Sequence, residues 1–411
     1  MNRSDGAANE RRRVAPMPSP SPAPRSPSIP PGATLGVLGG GQLGAMFAAA
    51  AGRMGYRVEA VVDTADCPAA RHAHRIHVGL LEDPDRLVAA ARGWSAATYE
   101  FENVPAAAVR ALCRVVPVRP GPEVLWTTQD RGREKAFLSA HGIPCAPHAP
   151  VRSADDLRAA ARRVGFPAVL KTCASGYDGK GQRRVDSAAD LDGAWEALGP
   201  GELVLESWVD FRGEVSVVAA RGVRDGDGGL HAVTWEPSWN VHRRHILDCS
   251  TVPAGLADPL AAEARGLAVR VLEALDVVGV ACVEFFVTRA GGLLVNEIAP
   301  RPHNSGHLTI EAAVTSQFEQ QVRAVCGLPL GSTGLRSAAA MVNLLGECWQ
   351  HGEPDWAAAL AMSGVTLHLY GKSDPRPGRK MGHLTALAET AAEAEAAARA
   401  ARLALSRGAV D

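Results

Sequence analysis

No C-x-x-C pair occurs in this chain of 411 residues, although it carries eight cysteines: Cys67, Cys113, Cys145, Cys173, Cys249, Cys282, Cys326 and Cys348. Scattered single thiols fit neither a zinc site nor a disulfide framework, and read as reduced intracellular cysteines packed as small apolar groups. Net charge is lacking too, with Lys+Arg 43 against Asp+Glu 44. That balance excludes indiscriminate binding to nucleic acid or to an anionic membrane, so any cationic function must come from a local cluster. No apolar run is long enough to span a bilayer. The N-terminus lacks the roughly 7–15-residue apolar segment of a secretion signal. The expected location is the cytoplasm.

What is present is ordinary globular material, 46% hydrophobic and 21% charged. At roughly 100–200 residues per domain the length implies two or three domains. Residues 1–32 are rich in Arg, Ser and Pro. Within them, 16–31 cannot bury enough apolar area to offset the entropy of ordering, and the segment is expected to be disordered. It is either a flexible leader or the result of a start codon called too early. From Ala33 the run TLGVLGG (34–40) reads as a buried strand entering a glycine turn, and 42–55 as a helix stopped by Gly55. The second strand, 57–63, completes a β-α-β unit and implies a parallel sheet.

Further strands are expected within 95–105, leading into a helix that starts near Pro105, and at 166–173, 202–209, 213–220, 281–287, 292–298 and 364–371. Helices are expected at 127–144, 258–275 and the Ala-rich C-terminus, while 222–248 reads as a variable loop. The units are therefore 33–128, 129–330 with a glycine-rich subdomain at about 165–222, and a small β-rich segment 331–411.

Gly39, Gly41 and Gly44 follow a strand in the spacing of a dinucleotide fingerprint, with Asp63 ending the next strand. The turn fits a nicotinamide cofactor, another phosphate, or simply a tight β-α connection. A second glycine loop, Gly176-Tyr177-Asp178-Gly179-Lys180-Gly181, lies between strands. Its amides can fold over phosphate oxygens, with Lys180 and the strand residue Lys171 adding charge; the alternative is a mobile hairpin.

The strands holding Glu284 and Glu297 are separated by Thr-Arg-Ala-Gly-Gly. A two-residue turn on Ala290-Gly291 pairs 289 with 292 and 288 with 293, and so sets Glu284 opposite Glu297 on one face. Their Cβ atoms would be about 4.5–5.5 Å apart, where like charges destabilise the sheet unless a cation intervenes. Mg²⁺ beneath nucleotide phosphates is the natural occupant. A one-residue bulge would instead send the two carboxylates to opposite faces.

Asn296, Arg301, His303, Asn304, Ser305 and His307 follow as a dense polar run. Arg301 is suited to grip a planar anion through its fork, or else is a surface arginine. Lys372, Arg376, Arg379 and Lys380 place four cations in nine residues. That cluster suits a phosphate other than the nucleotide's, or a solvated hairpin tip.

Together, Lys171, SGYDGKGQ (175–182), VLESWV (204–209) and the Glu284/Glu297 pair resemble the ATP-grasp superfamily. More narrowly, GGGQLG (39–44), NEIAPRPHNSGH (296–307) and RPGRKMGH (376–383) resemble the N5-carboxyaminoimidazole ribonucleotide synthetases of purine biosynthesis, from Ala33 to the C-terminus. The resemblance implies a three-domain α/β and α+β architecture: an N-terminal Rossmann-like parallel sheet, a central ATP-grasp domain with a glycine-rich lid, and a small C-terminal β-rich domain. It implies an ATP- and bicarbonate-dependent carboxylation of 5-aminoimidazole ribonucleotide through carboxyphosphate, with Mg²⁺, or alternatively Mn²⁺, held by Glu284 and Glu297.

The same resemblance assigns ATP contacts to Arg131, Lys171, Gly176, Tyr177, Asp178, Gly179, Lys180, Gly181, Gln182, Glu206, Ser207, Trp208, Val209, Glu214, His242, Asn296 and Glu297. Residues 206–209 would read the adenine edge, Glu214 the ribose, and His242 the phosphates, the last by spacing alone. Substrate contacts fall on Gly41, Gln42, Leu43, Glu100, Tyr177, Asp178, Asn304, Lys372, Arg379 and Lys380. Catalytic roles fall on Lys171, on Arg301 for bicarbonate and on Asp178 as proton acceptor. A homodimer, and transfer of the product to a separate mutase, are also implied. Four rivals share parts of this sequence pattern: a nicotinamide-dependent dehydrogenase, a formate-using glycinamide ribonucleotide transformylase, a biotin carboxylase and a non-catalytic ATP-grasp-shaped binding module, the last of which would require the metal ligands to be lost. The first leaves Glu284, Glu297 and the second glycine loop without a task.

Overall fold

The computed structural model describes residues 28–174, 180–223 and 229–406. The first domain is a four-stranded parallel sheet in the order Arg75–Val78, Arg57–Val62, Thr34–Leu38, Ala96–Tyr99. Its first helix, Gln42–Arg53, buries Leu43, Phe47, Ala48 and Ala51 against the strands and ends where Gly55 takes φ +82, a left-handed turn that glycine adopts without a Cβ penalty. Phe318, Val322 and Val325 of helix Gln317–Cys326 close the same core. The first domain is therefore fused to the central one by apolar packing.

A small antiparallel sheet follows, in the order His148–Val151, Leu203–Ser207, Ala168–Thr172, Gln182–Val185. Helices Ala154–Val164 and Leu191–Leu198 cover it, with Leu157, Ala161, Leu170, Leu191 and Leu205 at the centre. This sets the subdomain at 148–207 rather than the expected 165–222. The strand Phe211–Val223, with Val215 to Ala220 buried on both faces, belongs to the larger sheet instead.

That larger sheet has nine strands, all antiparallel, running Leu293–Ala299, Gly279–Thr288, Phe211–Val223, Ser238–Arg243, Ile246–Val252, Ala338–Leu345, Lys380–Ala388, Val365–Leu369, with Leu230–Thr234 on the side of Phe211–Val223. Helix Asp258–Ala274 lays Ala264, Leu267, Ala268 and Val271 on one end, and helix Ala391–Ala404 lays Ala394, Ala398 and Ala401 on the other.

The C-terminal segment is β-rich as expected, and Ala339–Val342 pairs directly with Cys249–Val252, so its strands continue the central sheet. Two expectations change here. The stretch 222–248, expected as a loop, supplies Leu230–Thr234, Ser238–Arg243 and the start of Ile246–Val252. The helix expected at 127–144 is split into Pro122–Thr128 and Arg131–Ala140. Asp130 caps the second of these by accepting the Arg133 N–H at 2.8 Å. All eight cysteines are free thiols. Among the described residues no helix is long and apolar enough to cross a membrane.

Candidate active site

A cavity of about 870 Å³ opens between the small sheet, the central sheet and the start of helix Arg131–Ala140. From the small sheet, Lys171 reaches in with its Nζ 3.0 Å from Glu206 Oε2. Lys135 Nζ stands 3.8 Å from the same oxygen. Burial works against the Glu206 charge, but the two ammonium groups outweigh it and hold its pKa below the usual carboxylate range. The Glu206 side chain therefore holds two lysines, which leaves the backbone groups of 206–209 as the ones that face a base. Ser207, Trp208 and Val209 do line the cavity, with Phe211 stacked on Phe286 at 4.7 Å between ring centroids. Arg131 donates from Nη1 to Thr172 O at 2.8 Å.

Glu284 does pair with Glu297, and both line the cavity, but by a different route from the one expected. The turn is wider. Thr288 and Gly292 are joined by N–H to O at 2.9 Å with Gly291 at φ +91, so Val287 pairs with Leu293 and Phe285 with Val295. Asn296 is then an extra residue, and beyond it Glu284 meets Glu297. The turn is offset by one residue and the bulge restores the register. Glu284 also bonds His303 Nε2 at 3.0 Å. Burial opposes its charge, yet His303, His242 and Arg301 keep its pKa low. Glu297 is enclosed by protein although open to the cavity. It is raised by that desolvation and by the charge of Glu284. Glu214 and His242 stand beside Glu284, with ligand atoms of the three within 4.8 Å of one another.

Arg301 presents its fork, but to a carboxylate of this chain: Nε and Nη2 donate to the two Glu102 oxygens at 2.5 and 3.0 Å. The fork expected to grip bicarbonate is thus held by a first-domain carboxylate. Asn304 lines the cavity nearby, 8% exposed, with neither amide atom satisfied by protein.

The first glycine turn also faces inward. Glu100 accepts the Gly41 N–H, and the Gly44 N–H at 2.6 Å. A Cβ on Gly39 or Gly41 would collide with the Glu100 side chain, and one on Gly44 with the Gly39 carbonyl oxygen. The donors that a dinucleotide pyrophosphate needs are occupied, so this turn does not support the dehydrogenase alternative. Leu43 points into the core, so its side chain is unavailable to a ligand. Gln42 is the first residue of the helix.

Lys372 lies beside Glu100. It donates to Lys380 O at 2.8 Å and sits 5.5 Å from the Tyr370 ring centroid. Burial, together with Arg379 and Lys380, pushes its pKa down to about 8, with Glu100 opposing. Arg379 is fixed by the Asp374 carbonyl at 2.7 Å, and Ser373 ties the loop to Asp66 of the first domain at 3.2 Å. Lys380 lines the large cavity itself. Gly176, Tyr177, Asp178 and Gly179 lie outside the described residues. Lys180, Gly181 and Gln182 lead into strand Gln182–Val185.

Three family models match the chain in succession: a ribonucleotide synthetase preATP-grasp domain over 32–129, an ATP-grasp domain over 136–318 and a phosphoribosylaminoimidazole carboxylase C-terminal domain over 339–397. The N5-carboxyaminoimidazole ribonucleotide synthase of Brucella melitensis is 44% identical over 360 residues, covering 87% of this chain and 97% of its own length. The chain belongs to the N5-carboxyaminoimidazole ribonucleotide synthetase family. The Thermus thermophilus synthetase structure superposes with a TM-score of 0.82 at 41% identity, covering 90% of this chain and 98% of that one. The Aspergillus clavatus synthase, solved with ADP and 5-aminoimidazole ribonucleotide, gives 0.80 at 31%, covering 91% and 99%.

Against this family background, the residues that sequence reasoning missed are Glu102, Glu134, Lys135, Phe211, Leu247 and Phe286. Glu134 and Lys135 are 2% and 1% exposed. A signal existed: Arg131, Glu134 and Lys135 recur at i, i+3, i+4, so one face of a short helix is charged and yet turned inward. Burial pushes Glu134 up to about 8 despite Lys135 beside it.

Proposed function

We propose that this chain joins bicarbonate to the exocyclic amine of 5-aminoimidazole ribonucleotide at the expense of ATP, in purine biosynthesis. The observation that carries the reading is the convergence, in one cavity, of Glu284 and Glu297 with Lys171, Arg131 and Arg301. Trp208, Val209 and the Phe211–Phe286 stack supply the apolar walls for an adenine ring. Lys171 and Arg131 spread the charge of the transferring phosphoryl group, which needs positioning and electrostatic support more than covalent help.

A bicarbonate oxygen held at Arg301 attacks the γ-phosphorus, the bridging bond to ADP breaks, and carboxyphosphate forms. Its breakdown releases phosphate and CO₂; the amine attacks that carbon and loses a proton. Asp178, outside the described residues, carries over from the sequence as the acceptor of that proton. The donor set suits a hard divalent cation. Glu284 and Glu297 would hold Mg²⁺ or Mn²⁺, with Glu214 and His242 adjacent, and the ion would neutralise nucleotide phosphate charge.

Lys372 and Arg379 are assigned to the phosphate of the aminoimidazole ribonucleotide, next to Glu100 and the Gly41–Gly44 turn. Asn304, with both amide atoms free of protein partners, is assigned to the substrates in the large cavity. The proposal includes a cytoplasmic homodimer that passes its product to a separate mutase.

The test is a phosphate-release assay with ATP, bicarbonate and aminoimidazole ribonucleotide, each omitted in turn. Release should collapse without any one of the three. Full release with formate in place of bicarbonate and glycinamide ribonucleotide as acceptor would overturn the assignment.

A further inference from the structure

The bulge at Asn296 decides whether the two carboxylates meet. Without the extra residue the pairing of Phe285 with Val295 would continue, Glu284 would oppose Asn296, and Glu297 would oppose Val283, which is fully buried in the core. A bulge leaves unpaired backbone groups, and these must be satisfied somewhere.

The strand Leu293–Ala299 is an edge of the central sheet, and its outer side is read by neighbouring residues. Val295 N–H donates to Pro144 O at 2.8 Å. Lys135 Nζ donates to Val295 O at 3.3 Å and to Asn296 O at 2.8 Å, on both sides of the step. Ile298 N–H donates to Glu134 Oε2 at 3.0 Å. In an unbroken strand the outward N–H groups would be those of 295, 297 and 299. The bond from Ile298 therefore exists only in the bulged register.

We propose that Glu134 and Lys135 are positioning residues that clamp this bulge and so set Glu297 opposite Glu284. Lys135 does a second thing with the same ammonium. It faces Glu206, the carboxylate that holds Lys171, so one buried charge ties the phosphate-facing lysine of the small sheet to the carboxylates of the central sheet. Neither residue needs to touch a substrate to act, since they work through Glu297 and Lys171. The inference rests on the reading of Glu284 and Glu297 as metal ligands.

It is tested on the full-length protein by the dissociation constant for Mn²⁺ in saturating ADP, read from the electron paramagnetic resonance of the free ion. The KM for aminoimidazole ribonucleotide and the unfolding midpoint are recorded beside it. Glu134→Leu keeps the volume but removes the acceptor, and Lys135→Met removes the donor. Each should weaken Mn²⁺ by about tenfold or more, as loss of a partner of a metal ligand does, with KM for aminoimidazole ribonucleotide at the wild-type value. Glu134→Gln keeps an acceptor oxygen and should restore most of the affinity lost in Glu134→Leu. A residue serving stability alone would lower the midpoint without this pattern.

If Glu134→Leu does not fold, Lys135→Met carries the comparison. Wild-type Mn²⁺ affinity in the folded variants, with Glu297→Gln defective, overturns the clamp alone. Wild-type affinity in Glu297→Gln overturns the metal reading and the clamp with it.

Discussion

Lys372 offers a pH test of the proposed phosphate grip. The ammonium is surrounded by Arg379 and Lys380, with Tyr370 beneath it and Glu100 as the nearby carboxylate, and its pKa is pushed down to about 8. A lysine grips a phosphate only as a cation, so the grip is present below that value and is lost as pH rises through it. With a pKa of about 8 the charged fraction falls from about nine-tenths at pH 7 to about one-tenth at pH 9, so KM for the aminoimidazole ribonucleotide should rise about tenfold over that range.

The ligand phosphate has its second pKa at about 6 and stays a dianion throughout. The assay is initial-rate phosphate release at saturating ATP and bicarbonate, with KM for ATP as the internal control. Lys372→Arg keeps its charge over the whole range and should flatten the profile, while Lys372→Met should show the high-pH KM at every pH. A flat wild-type profile, or an undiminished rise in Lys372→Met, would refute the argument.

Glu206 and Gly39 give two further tests. Glu206→Leu leaves Lys135 and Lys171 buried without their counter-charge, which should cost about 3–5 kcal/mol in urea unfolding. The Glu206 pKa is held low, so this stabilisation should be present at neutral pH and fade in the wild type as pH falls through the folded value. Gly39→Ala forces a Cβ onto a residue at φ +111 and against Glu100. About 1–3 kcal/mol of strain should appear as a lower thermal midpoint.

Much of the fold was legible because its elements advertise themselves locally. The strand-glycine-helix opening at 34–55, the helix Asp258–Ala274 and the two strands that carry Glu284 and Glu297 each follow from local periodicity. What escaped was decided at long range. The strands Leu230–Thr234 and Ser238–Arg243 are short and lie in a segment whose glycines, serines and charged residues read as loop, and pairing with Phe211–Val223 fixes them. The Glu284–Glu297 pair was inferred correctly from an incorrect turn, because the offset at Gly291 and the extra Asn296 compensate each other. Arg301 was recognised as a fork, but its partner Glu102 lies 199 residues earlier. No local pattern links two such positions. Glu100 was placed near the substrate, yet its part in shaping the Gly39–Gly44 turn appears only when the first and fourth strands stand side by side.

The pairing of Cys249–Val252 with Ala339–Val342, and of Ala338–Leu345 with Lys380–Ala388, joins the C-terminal strands to the sheet that lines the nucleotide cavity. A hinge cannot be inserted in a hydrogen-bonded ladder without tearing it. Glu284, Glu297 and Lys380 therefore stand on strands of one hydrogen-bonded layer. The four-stranded unit that carries Lys171 shares no ladder with the nine-stranded sheet, so the two walls of the cavity are joined without strand pairing.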